Sequence, residues 1–225
     1  MDDGSHRAFD ELVRGMPGSP AFMPFLQLYM GPQGRFDGDR GWHAFASMSF
    51  DSNRAALLAM VLQYEPDVTS ERFLKAMEAF SFDDGRKRAF DLLVEKVKPI
   101  DAGTAHAAIA TFSFDSGRGS AFSTLAKPGR MDLDEGDLIR FLQLFSFDSG
   151  RINLIKQFAP TVHGEVTYKN ANKLLRAFSF DSDRLTAIKI MAPRWRNLSL
   201  EERRKLAKTF SFDSGRKKAL SLLSR

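Results

Sequence analysis

The stretch Phe112-Ser113-Phe114-Asp115-Ser116-Gly117-Arg118 returns along this chain with little change, and its spacing decides the fold. Near-copies begin at Met48, Phe80, Phe145, Phe178 and Phe210, so successive starts lie 32, 32, 33, 33 and 32 residues apart. A fixed period in that range marks stacked supersecondary units, none of which buries its apolar face alone. The motif therefore speaks first about architecture.

Working outward, each copy is preceded by residues with helical period. Leu138, Phe141, Leu142 and Phe145 recur at i, i+3, i+4 and i+7, and Ala171, Leu174, Leu175 and Phe178 repeat the pattern. We label this helix A. A second apolar helix, B, follows each copy, as in 55–63, 89–97, 152–158, 185–191 and 219–223. All but the last B helix are followed by a proline (Pro66, Pro99, Pro128, Pro160 and Pro193), which cannot extend a helix. Thr69, Thr104, Asp134 and Thr167 are expected N-caps of the A helices, and Ser199-Leu-Glu-Glu202 fits a capping box.

The heptapeptide is thus the A-to-B turn. Its first residue (Phe80, Phe112, Phe145, Phe178 and Phe210, with Met48 in the first copy) closes the apolar face of helix A. The second aromatic (Phe50, Phe82, Phe114, Phe147, Phe180 and Phe212) is expected to break the helix and turn its ring between neighbouring helices. Asp51, Asp83, Asp115, Asp148, Asp181 and Asp213 suit the cap of helix B, where a carboxylate accepts backbone N–H bonds and opposes the dipole. The sixth position is Gly, Asn or Asp, residues that tolerate turns and helix starts. Arg54, Arg86, Arg118, Arg151, Arg184 and Arg216 stand three residues after each Asp, placed to pair with it or to reach the previous repeat. Truncating a buried Phe costs about 3–5 kcal/mol and losing a cap about 1 kcal/mol, so six copies hold an array together without any ligand. Calcium in the Asp-Ser-Gly loops is the poorer reading, because spaced carboxylates and a terminal Glu are missing. An arginine-lined groove for an anion is the other functional alternative.

The expected fold is all-α: a stack of about six αα-hairpins over residues 48–225, one continuous domain, forming a solenoid or superhelical bundle. Residues 1–47 break the period and are read as an N-terminal helical cap, with a swapped or partner-binding segment as the alternative. Within them, 5–16 and 22–30 carry helical apolar patterns, 41–48 is a shortened A helix, and Phe36-Asp-Gly-Asp-Arg40 echoes the motif.

Charge is unevenly placed along the 225 residues, whose net charge is +5. Residues 1–47 hold four basic and six acidic side chains, a balance of −2, and 48–193 are neutral with nineteen of each. Residues 194–225 hold ten basic against three acidic, a balance of +7. Arg194, Arg196, Arg203, Arg204, Lys205, Lys208, Lys217 and Lys218 form a candidate anion-binding end for nucleic acid, acidic peptide or lipid headgroups. Trp195, between two arginines, is a candidate for base stacking or for the core.

With no cysteine, a disulfide framework, thiolate metal sites and cysteine nucleophiles are excluded. His6, His43, His106 and His163 are far apart and lack ligand spacing. No phosphate-binding glycine loop or nucleophile elbow occurs, so no catalytic, metal or cofactor residue is assigned and an enzyme is not expected. The polar start of the sequence and the lack of a long apolar run predict an intracellular protein, cytoplasmic or nuclear, without a membrane span. Asn197-Leu-Ser199 matches the glycosylation triplet at chance level.

The period is close to that of tetratricopeptide repeats, but their Trp-Leu-Gly-Tyr and Ala-Phe-Pro pattern is missing, as is the ankyrin Thr-Pro-Leu-His. Phe112–Arg118 and Phe178-Ser-Phe-Asp-Ser-Asp-Arg-Leu-Thr-Ala-Ile188 instead resemble an uncharacterised helical-repeat family. In that family Phe-x-Phe precedes a short polar stretch, a basic residue and an Ala/Leu helix. It occurs in bacterial proteins and at the N-terminus of an animal proline- and serine-rich protein. The resemblance covers roughly residues 42–225 and implies helical repeats without a defined activity; chromatin association is its one functional pointer. From the residues themselves, the expected function is a non-catalytic protein-interaction scaffold. An anion- or nucleic-acid-binding module and a self-assembling structural protein are the alternatives.

Overall fold

Every heptapeptide marks the point where one helix stops and the next begins, and this repetition builds the molecule. The structure is a computed structural model describing residues 38–64, 68–97, 100–127, 130–164 and 166–224. Among these residues it contains twelve α-helices, a 3-10 turn and no strand. The A helices are α1 (Gly38–Ser47), α3 (Ser70–Ala79), α5 (Ala102–Ala110), α7 (Glu135–Leu142), α9 (Tyr168–Arg176) and α11 (Leu200–Ala207). The B helices are α2 (Asp51–Tyr64), α4 (Asp83–Val94), α6 (Asp115–Leu125), α8 (Asp148–Phe158), α10 (Asp181–Met191) and α12 (Asp213–Leu223). The 3-10 turn is Trp195–Asn197. The fold is all-α, as the period requires.

The chain divides into two compact units, Met1–Lys98 and Pro99–Arg225. In the first, α1 packs on α2, α3 on α4, and α2 on α4. Phe45 meets Phe80 and Phe73 meets Phe90 in its core, with ring centroids 5.8 and 5.7 Å apart. In the second, α5 to α12 form four hairpins. Their A helices pack in the order α5, α7, α9, α11 and their B helices in the order α6, α8, α10, α12, giving two layers. The core lies between the layers. Phe122 is its centre of gravity near the start, touching Phe141, Phe145 and Phe158 at centroid separations of 4.7, 5.8 and 5.7 Å.

Four of the expected caps hold the A helices. The side chains of Thr69, Asp134, Thr167 and Ser199 accept the N–H three residues on, and Asp134 and Ser199 complete capping boxes with Asp137 and Glu202. Thr104 is a correction: Asp101 caps α5, and Thr104 donates its N–H and hydroxyl to it, because a carboxylate three residues earlier is the stronger acceptor. The B helices start earlier than their apolar residues indicate, at the motif aspartate. Helix α1 starts earlier than position 41 and takes in residues 38–40 of the motif echo. The expected helices at 5–16 and 22–30 lie outside the described residues.

Candidate interaction surface

The motif aspartates do not cap their own helices, which corrects the sequence reading. In α4, α6, α8, α10 and α12 the N-cap is the second Phe, with no side-chain cap bond, and the aspartate is the first helical residue. The carboxylates of Asp51, Asp115, Asp148 and Asp181 reach the next repeat instead. Asp51 accepts the N–H groups of Ser81 at 3.0 Å and Phe82 at 2.9 Å. Asp115 accepts those of Ser146 and Phe147, both at 2.9 Å. Asp148 takes Ser179 and Phe180 at 2.7 and 3.2 Å, and Asp181 takes Ser211 and Phe212 at 2.9 and 3.3 Å. Each carboxylate thus satisfies backbone donors that the following turn leaves without helical acceptors.

The arginines fix these carboxylates. Arg54, Arg118, Arg151 and Arg184 each donate to the aspartate three residues back, at 3.1, 3.0, 2.6 and 2.7 Å. A second donor goes to the carbonyl of the first motif Phe: Arg118 to Phe112 at 2.8 Å and Arg184 to Phe178 at 2.8 Å. Arg184 also donates forward to the Thr209 carbonyl at 3.1 Å, so the arginine reaches the following repeat where the sequence reading considered the previous one. Burial pushes the Asp115 carboxyl up, but the Ser146 and Phe147 N–H groups and the Arg118 guanidinium outweigh it and hold it below the usual range.

Delivering the Phe N–H to this carboxylate leaves the residue extended, near φ −110° and ψ 145°, and the ring turns away from the core. Phe50 is 53% exposed and Phe82, Phe114, Phe147, Phe180 and Phe212 are 66–73% exposed. This overturns the expectation that the second aromatic packs between helices. The first one does: Phe80, Phe112, Phe145, Phe178 and Phe210 are all buried. The two phenylalanines of one motif, two residues apart, therefore do opposite things. Exposed serines flank the outer ring, as at Ser146 and Ser149 or Ser179 and Ser182.

The sixth position is likewise helical rather than a left-handed turn, since Gly164 is the one described residue with positive φ. Its small size answers to the first Phe. A Cβ on Gly150 would lie 2.5 Å from Phe145 Cδ1, and one on Gly85 would lie 2.6 Å from Phe80 Cδ1.

The candidate anion-binding residues fall into two groups. Trp195, set among them, is buried and donates Nε1–H to Glu135 Oε1 at 2.9 Å, so it is core and unavailable for base stacking. Burial raises the Glu135 carboxyl above its usual range, opposed by the Trp195 N–H and the Arg194 charge. Arg194 thus serves a buried carboxylate, Arg203 donates to the Arg196 carbonyl, and Lys205 pairs with Glu201 at 2.7 Å. Arg196, Arg204, Lys208, Lys217 and Lys218 are exposed, with no side-chain partner among the described residues.

Other features offer little chemistry. A shallow groove between α6 and α8 is lined by Ser116, Gly119, Ser120, Ser123, Asn153 and Gln157. Among the described residues no three His, Asp or Glu side chains converge as a metal site, and no helix is long and apolar enough to cross a membrane.

The chain matches the Domain of unknown function family DUF4476 twice, over residues 34–126 and 130–223, and belongs to that family. Each copy holds three heptapeptides. These family boundaries do not coincide with the division into compact units after residue 98. A solved structure described as "Computational Design of Self-Assembling Cyclic Protein Homooligomers" aligns with 99% of this chain and 78% of its own, at 14% identity and a TM-score of 0.17. No match is found among curated proteins.

Proposed function

We propose that this protein is a non-catalytic interaction scaffold whose contact surface is the row of outward-turned phenylalanines. The observation that supports it is their exposure: a motif that needs only one buried Phe displays a second in every copy. Exposed large aromatics are expensive to leave in water and are the residues that most often anchor interfaces. In the second unit, Phe114, Phe147, Phe180 and Phe212 sit at the starts of B helices that pack side by side. Neighbouring helix axes lie about 8–10 Å apart. Three residues of polyproline II span about 9.3 Å, so an extended partner with an apolar side chain at every third position matches the row.

The test replaces Phe147 and Phe180 together by Ser. Both rings are exposed, so thermal stability should stay close to wild type, with changes within about 0.5 kcal/mol. Proteins retained by the wild-type chain from source-cell lysate should be lost. An unchanged retained set would overturn the reading.

A second reading rests on Arg196, Arg204, Lys208, Lys217 and Lys218, the exposed cations near the last hairpin. It supports nucleic-acid binding, the class to which the resemblance's link to chromatin belongs. Retention that disappears with nuclease, falls steeply with salt and is lost on reversing Arg204, Lys208, Lys217 and Lys218 to Glu would favour it.

A further inference from the structure

Among the described residues, the motif aspartate bridges leave an acceptor unmatched at Asp213 and two donors unmatched at Ser49 and Phe50. At the tail, Asp213 occupies the position of Asp51, Asp115, Asp148 and Asp181, first in its B helix and paired with Arg216 at 2.9 Å. Among the described residues no backbone N–H donates to it. Its side chain is 85% exposed, against 14% for Asp115 and 16% for Asp181. At the head, Ser49 and Phe50 form the first motif, and no acceptor for either N–H occurs among the described residues. Ser81–Phe82, Ser146–Phe147, Ser179–Phe180 and Ser211–Phe212 all deliver these same two donors to an aspartate.

We infer that the tail of one chain docks on the head of a second copy, the Asp213 carboxylate accepting the N–H groups of Ser49 and Phe50. The joint continues an interface the chain already makes internally, with the same residue types in the same roles. Arg216 holds the carboxylate as Arg118 and Arg184 hold theirs. The start of the last A helix fits too. The equivalent first residue is buried in α7 (Glu135) and half-buried in α9 (Tyr168), whereas Leu200 of α11 is 58% exposed, an apolar side chain where inner repeats are covered. A head-to-tail contact is heterologous and generates a ring or a filament according to its angle, so association depends on concentration. This inference stands apart from the scaffold reading, because it uses these unmatched groups and leaves the phenylalanine row free.

The experiment measures mass against concentration by sedimentation for the full chain and for Asp213→Ala. An exposed residue at a helix start leaves the fold intact, which circular dichroism checks. Wild-type mass should rise with concentration, less so at high salt. Asp213→Ala should weaken association about tenfold or more, since two hydrogen bonds to a charged group are lost. The absence of cysteine allows a direct map: Ser49→Cys mixed with Ser214→Cys should cross-link through a short bismaleimide, while neither variant alone should. A constant monomer mass, association unchanged in Asp213→Ala, or cross-links between like variants would each overturn the proposal.

Discussion

The sixth residue of the heptapeptide shows how far one hydrogen atom in place of a methyl group matters. Gly85 sits within α4, where replacement by alanine ordinarily gains about 1 kcal/mol of helix propensity. Here the new Cβ would lie 2.6 Å from Phe80 Cδ1 and 2.7 Å from Asp51 Oδ2. It would press at once on the buried ring and on the carboxylate that joins two repeats. Overpacking of that kind costs about 1–3 kcal/mol, so Gly85→Ala should be net destabilising in urea denaturation. At Gly119, in α6, an added methyl would meet nothing within 4 Å, and Gly119→Ala should stabilise by about 0.5–1 kcal/mol. Asn53 and Asp183 occupy the sixth position in other copies, so a side chain fits where the neighbouring packing yields. The opposite signs of two glycine-to-alanine changes separate steric need from turn formation.

At the level of the helix and its junction, the aspartate bridge is the device to probe. Asp115 is held below the usual carboxyl range, so its folded value lies under its unfolded one. The stability it contributes is then complete above the unfolded value, near pH 4, and is lost as pH falls through the folded one. Asp115→Asn should cost about 1–3 kcal/mol at pH 6, where hydrogen bonds to a charged acceptor are replaced by neutral ones. That difference should shrink below pH 4, which denaturant midpoints from pH 6 to pH 2 would show. Equal cost at both extremes would mean the bridge acts through shape alone. Much of this level was legible in the sequence. The period, the helix pair around each motif, and the caps Thr69, Asp134, Thr167 and Ser199 followed from spacing and side-chain chemistry. The partner of the aspartate was not legible, because an acidic residue at a helix start reads equally as a local cap, and the donors it accepts lie about thirty residues away. The fate of the second Phe was hidden for the same reason. Hydrophobicity predicts burial, whereas Phe147 and Phe180, held to that bridge through their N–H groups, turn their rings outward.

For the chain as a whole, two ways of cutting it make different physical demands. The second family copy spans 130–223, whereas the compact unit begins at Pro99 and includes α5 and α6. Helix α6 supplies Phe122, whose ring packs against Phe141, Phe145 and Phe158, and Asp115, which receives Ser146 and Phe147. A fragment starting at 130 would lose the centre of that aromatic cluster and leave Phe145 and Phe158 facing water on one side. Removing one buried Phe costs about 3–5 kcal/mol, a large share of the 5–15 kcal/mol typical of a whole domain. Stacked repeats gain stability mainly from interfaces with their neighbours, so loss of a whole hairpin should exceed that single-residue figure. Fragment 99–225 should therefore unfold cooperatively with a thermal midpoint well above that of 130–223, which should melt broadly or be largely unfolded at 37 °C. Calorimetry on both fragments decides it: equal midpoints would mean that the family copy, with its three hairpins, carries a self-sufficient core and that the Phe122 cluster is dispensable.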